Sequence, residues 1–264
     1  MRQSGLKVLS LLVLVTILSS CNLDSLKDPV VVAEVNNEFE IGLWEELAPF
    51  GKNFYFNINT IEEYDCENYS IDYNLIKKFR EFNISLADIQ EPGDCQEGTN
   101  FATASLDLGT LSNGFYELNI DLKNTVINQG QLTVSSDSYL IEMEDAKGIS
   151  FLQHELLRVP DFTLWGHVSY GEAMEQAADD FIAQLDSISH SKVLKKGYYG
   201  YFSVEEENSN KIVLPDAPTG DAYKTFLFHY EGQDTPLSEL VEQFRNEYGD
   251  SIQIELMNDQ GKTF

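Results

Sequence analysis

The chain has 264 residues, with 44 acidic against 17 basic side chains and a formal charge of −27 at pH 7. Such a field repels nucleic-acid backbones and anionic lipid headgroups, which excludes a nucleic-acid-binding role and leaves basic protein patches or divalent cations as natural partners. The length allows one large core or two modest ones.

At the start, Arg2 and Lys7 precede an apolar run from Val8 to Leu18, closed by Leu18-Ser19-Ser20-Cys21. About eleven apolar residues are too few for a span, which needs roughly twenty. A charged stretch, a short apolar stretch and two small residues make a secretory signal. The four residues ending in Cys21 resemble the lipobox of bacterial lipoproteins. That resemblance implies a diacylglycerol on the Cys21 thiol, removal of residues 1–20 and acylation, with palmitate for example, of the new amino group. Two or more chains anchor a protein stably where one does not. The resemblance also implies a Gram-negative envelope. Asn22, in place of the Asp that signals inner-membrane retention, implies the outer membrane, facing either side. The mature chain would carry 15 basic against 44 acidic side chains, a formal −29.

Residues 21–37 read as the lipidated cysteine and a tether. From 38 to 146, short alternating runs follow one another: Asn53–Ile58, Tyr69–Leu75, Phe82–Leu86, Ala104–Leu108, Phe115–Leu122, Gln131–Val134 and Tyr139–Met143. Alternation with turn residues between the runs predicts half-buried antiparallel strands in a sandwich. Leu111-Ser112-Asn113-Gly114-Phe115-Tyr116 resembles the tyrosine corner of immunoglobulin-like folds, with Tyr116 bonding back to the preceding turn. Cys66 and Cys95, an even pair in an exported chain, predict a disulfide that staples a loop.

After a connector over 147–162, the period changes. Thr163–Tyr170, Gly197–Val204, Tyr223–Tyr230 and Ile252–Met257 read as strands, and 172–188 and 237–248 as amphipathic helices. Pro236 opens the second helix and Gly249 closes it. The order β-α-β-β-α-β over 163–264 resembles a ferredoxin-like α+β domain. Helices on one face of that sheet would cover Leu164, Val168, Phe202, Val204, Phe226, Phe228, Ile252 and Ile254. Trp165, His167, Tyr199, Tyr201, Leu227 and His229 would then share an open face suited to a ligand, a protein partner or the other domain. The aromatic run Tyr198-Tyr199-Gly200-Tyr201-Phe202 also resembles an RNA-binding signature, but its spacing and the charge of the chain exclude nucleic acid.

Gln153-His154-Glu155-Leu156-Leu157-Arg158 has an arginine where a zinc-protease helix needs its second histidine, so no catalytic or metal residue is assigned there. Asp65, Glu67, Asp72, Asp94 and Glu97 crowd the cysteine pair, where Ca²⁺ is the one cofactor with suitable ligands, though without EF-hand spacing. The sequence thus points to a non-enzymatic, lipid-anchored accessory or binding lipoprotein. The alternatives are a glycan or peptide hydrolase using paired carboxylates and a peptidase-inhibitor-like module.

Overall fold

In a computed structural model of the protein, residues 36–216, 218 and 222–264 are described. Cys21, the segment before it and most of the tether lie outside them. Residues 35–264 form one compact unit that is mostly β.

Ten strands make the first and largest sheet: β1 (Phe39–Ala48), β2 (Gly51–Cys66), β3 (Ser70–Lys78), β4 (Glu81–Gln90), β5 (Glu97–Gly109), β6 (Gly114–Leu122), β7 (Val126–Val134), β8 (Ser138–Met143), β9 (Ile149–Phe151) and β10 (Glu155–Leu157). Their order is β10-β8-β7-β6-β4-β3-β5-β2-β1-β9. Only the single pair Ser70↔Thr103 joins β3 to β5, so the sheet bends there and folds back on itself. Tyr139 of β8 consequently stacks on Phe54 of β2, with ring centroids 4.1 Å apart. Alternate residues such as Ile58, Ile84, Leu106, Leu118 and Leu132 fill one core between the two layers, as period-two strands require. The runs predicted from alternation all fall within β2 to β8. Most pairings are antiparallel, but β4 runs parallel to β6.

The Tyr116 hydroxyl donates to the Ser112 carbonyl oxygen at 2.8 Å, the predicted corner. Gly114, at φ 140°, takes the turn that a side chain would resist. Cys66, at the end of β2, is bonded to Cys95 in the loop before β5. This bridge closes a segment with a sequence separation of 29. Cys95→Ser is therefore expected to cost about 3–4 kcal/mol of stability on the chain-entropy estimate. Urea unfolding of the variant beside the oxidised parent measures it; equal midpoints would refute the estimate.

Three features depart from the sequence expectation. β1 was not predicted. The connector 147–162 holds β9, parallel to β1, and β10, antiparallel to β8, so it extends the sheet. Gly197–Val204 is not the second strand of the C-terminal sheet. That sheet contains β11 (Thr163–Tyr170), β12 (His190–Ser191), β16 (Ala222–His229) and β17 (Ile252–Asn258), in the order β12-β16-β11-β17. Residues 197–213 instead form a separate three-stranded sheet of β13 (Gly197–Tyr198), β14 (Ser203–Val204) and β15 (Ile212–Val213).

Two helices, α1 (Glu175–Ile188) and α2 (Asp234–Tyr248), cover one face of the four-stranded sheet. Phe181, Leu185, Val241 and Phe244 meet Leu164, Val168, Phe226 and Ile254 there. Gly249, with positive φ, ends α2. The opposite face packs against the three-stranded sheet and the start of the large one, in a core shared by Leu47, Leu157, Trp165, Phe202, Val204 and Leu227. Phe202 and Val204 therefore lie across the sheet from the helices, contrary to expectation, because their strand belongs to the small sheet.

Candidate functional site

The face of β11 turned from the helices carries Trp165, His167 and Ser169 in succession, and that of β17 carries Gln253, Glu255 and Met257. Tyr201 reaches over from the small sheet, and Leu214 adds a wall. Together they line a groove of about 450 Å³. Its floor is aromatic and apolar. Its rim is polar and acidic, with the Glu255 side chain exposed.

Of the six residues expected on an open face, the structure brings Trp165, His167 and Tyr201 to this groove. The face itself is not open. Trp165 and Leu227 are each no more than 3% exposed, covered by the small sheet, and Tyr199 and Tyr201 do not share their face at all, because they belong to the β13–β14 turn of that small sheet. Tyr199 acts as an internal strut: it stacks on Phe202 at 5.1 Å and donates its hydroxyl to the Lys195 carbonyl at 3.0 Å. Burial, reinforced by Glu207, Glu155 and Asp137, raises its pKa to about 12. His229 lies elsewhere, half-buried, with its Nε2 2.8 Å from Glu231 Oε1.

Tyr201 ties the groove to the large sheet. Its hydroxyl accepts the Leu47 N–H at 3.2 Å, and its ring lies 4.5 Å from Trp44 and 5.6 Å from Trp165. Burial raises its pKa, and the bond from Leu47 opposes the rise.

Ser169 was not singled out from the sequence. It is 3% exposed, yet its Oγ has no hydrogen-bond partner. An unpaired buried hydroxyl costs stability, so one that belongs to the lining of a groove marks a candidate position for a ligand atom. No sequence signal distinguishes this serine, but β11 alternation puts it on the same face as Trp165 and His167. Glu255 and Met257 could have been found by the same alternation along β17.

His167 Nδ1 lies 3.9 Å from Glu255 Oε2. Burial lowers the His167 pKa below its ordinary 6.5, and the Glu255 carboxylate partly opposes the shift. The unfolded chain thus holds this proton more tightly than the folded one. The stability contributed is complete above about pH 6.5 and is lost as the pH falls through the depressed folded value. His167→Gln is expected to flatten the decline in urea midpoint between neutral and mildly acidic pH. An unchanged slope would show that other groups cause it.

Among the described residues, no three or more His, Cys, Asp or Glu gather as they would around a metal ion, and the acidic residues near the disulfide form no such group. No helix there is long and apolar enough to cross a membrane. Arg158, at the position of the missing zinc ligand, is instead paired with Glu45. No family model matches the chain, and no curated protein or solved structure resembles it significantly.

Proposed function

We propose that the chain is a non-enzymatic, lipid-anchored accessory or binding protein of a Gram-negative outer membrane, contacting its ligand or partner at the groove over β11 and β17. The observation that carries the binding reading is the Ser169 hydroxyl, buried without a partner in the lining of the groove. Concave sites that combine an apolar floor with a few aimed polar groups are the usual form of ligand sites. The fitting ligand has an apolar part for Met257 and Tyr201, over the floor that buried Trp165 packs from beneath, and a hydrogen-bonding group for Ser169.

The architecture proposed with it is an immunoglobulin-like sandwich over 38–146 and a ferredoxin-like domain over 163–264. The Tyr116 corner supports the first, while the parallel β4–β6 pair departs from its all-antiparallel sheets. The second is supported by β16 lying between β11 and β12, antiparallel to its neighbours, with two helices on one face. The anchor is supported by the lipobox alone.

Two experiments separate the claims. Cys21→Ser should release the protein from membranes washed in high salt; retention would remove the anchor. A thermal-shift screen of envelope glycans and peptides against the exported Cys21→Ser protein should give hits that Ser169→Val and Glu255→Ala weaken. Hits indifferent to both would remove the groove assignment, and turnover abolished by Glu255→Gln would favour a hydrolase. Protease shaving of intact cells reads the orientation.

A further inference from the structure

The rim of the large sheet away from Phe39 carries a second surface. The β1–β2 hairpin ends in Pro49-Phe50 and the β3–β4 hairpin in Phe79-Arg80, and both phenylalanines are fully exposed, at 103% and 97%. The two hairpins flank the end of β5. Thr110 Oγ1 lies 2.9 Å from Asn53 Oδ1, and a β-carbon on Gly109 would sit 3.8 Å from Lys77 Nζ.

Phe79 holds φ at 42°. Two-residue hairpin loops place Gly, Asn or Asp at positive φ, and a bulky aromatic there is a costly choice. The cost secures no packing, since the side chain stands in solvent. A strained residue that contributes nothing to the core points to a role outside it.

Charge indicates the partner. In a chain of formal charge −27, Lys77, Lys78 and Arg80 surround Phe79 within four positions. None of them enters an ion pair among the described residues, a state they share with Lys192, Lys195, Lys196, Lys211 and Arg245; what sets them apart is that three cations flank one exposed aromatic. Arg80 donates to the Asn113 carbonyl at 3.1 Å and lies 5.8 Å from the Phe79 ring. Exposed aromatics at one rim, one of them flanked by three cations of which Lys77 and Lys78 are unpaired, match an anionic bilayer surface, where rings sink to headgroup level and cations meet phosphates.

We propose that the Phe50 and Phe79 hairpin tips, with Lys77, Lys78 and Arg80, dock onto an anionic, phosphate-bearing lipid bilayer. The overall negative charge does not forbid this, because salt screens carboxylates beyond about 8 Å, and the nearer Glu81, opposite Lys78 in the hairpin, offsets only one of the three cations. The 18 residues from Cys21 to Glu38 span at most about 60 Å when extended. That exceeds the roughly 33 Å length of β1, so an anchor at Cys21 and the tips could share one membrane.

The test is co-sedimentation of the exported Cys21→Ser protein with vesicles of phosphatidylcholine alone or mixed three to one with phosphatidylglycerol. The anionic vesicles should bind it and the neutral ones should bind it weakly, with the difference erased by high salt. Lys77→Ala with Lys78→Ala should weaken binding about twenty-five-fold, at about fivefold per cation. Phe79→Gly should weaken it roughly tenfold while leaving the melting temperature unchanged or raised, because glycine accepts this backbone. Equal binding to both vesicle types, or binding untouched by these variants, would overturn the proposal. So would failure to bind either vesicle with tip-dependent capture on an acidic polypeptide such as polyglutamate, which would make the tips a protein contact.

Discussion

Arg158→Ala is expected to destabilise the fold by about 3–5 kcal/mol, the usual cost of removing one partner from a buried ion pair. Arg158 Nε donates to Glu45 Oε1 at 2.9 Å, one of its terminal nitrogens donates to the Ser135 carbonyl at 3.1 Å, and the guanidinium lies 5.0 Å from the Tyr139 ring. The Tyr139 hydroxyl donates to the same Glu45 oxygen at 2.7 Å. Burial and then the Glu45 charge push that hydroxyl's pKa far above its ordinary value, so it stays a donor throughout the working range. Glu45 is only 3% exposed, and its Oε2 already lacks a partner. Without the guanidinium, the carboxylate would remain in the core with one donor. Urea unfolding should show the loss, and Glu45→Leu with Arg158→Met should lose less than Arg158→Ala, since no charge is then stranded. A cost below about 1 kcal/mol for Arg158→Ala would mean that water reaches the pair.

The same pair explains why part of the fold was hidden in the sequence. In β1, Phe39, Ile41, Leu43 and Leu47 point inward, but Glu45 occupies the position between the last two and breaks the alternation. A period-two search stops at such a residue, and only the arginine 113 positions later makes the inward carboxylate tolerable. The runs within β2 to β8 were legible because their inward positions are apolar; the buried polar Thr60 and Asn128 of β2 and β7 fall outside those runs. β9 and β10 are three residues each, too short to show a period. Residues 198–202 misled for another reason: Tyr199 and Phe202 are both buried although three positions apart, since the chain turns at Gly200, with φ at 83°, instead of running straight. The candidate groove was half legible. Alternation along β11 put Trp165 and His167 on the face turned from the helices, though it did not show that the small sheet covers that face, and the unpaired state of Ser169 is a property of its surroundings that leaves no trace in its own residue type. The Lys77-Lys78-Phe79-Arg80 tip falls between the predicted runs Tyr69–Leu75 and Phe82–Leu86 and was not singled out, since its full exposure appears only in three dimensions.

Trp165→Ala is expected to cost about 3–5 kcal/mol, as truncation of a large buried aromatic does when its surroundings cannot collapse. The ring lies 5.6 Å from Tyr201 and 5.5 Å from Phe202, in the core where all three sheets meet. Because elements of each sheet line that cavity and are fixed by their own hydrogen bonds, none can move in to fill it. Tyr201→Phe should cost only about 1–2 kcal/mol, the penalty of leaving the Leu47 N–H without its acceptor while the ring stays packed. The two residues touch, so the double variant Trp165→Ala, Tyr201→Phe should depart from additivity by more than about 0.5 kcal/mol. Chemical denaturation of the three variants measures all of this. A cost under about 1 kcal/mol for Trp165→Ala would mean that the face of β11 away from the helices is open to water after all. Trp165 would then be a contact for a partner rather than the packing that holds the groove in shape.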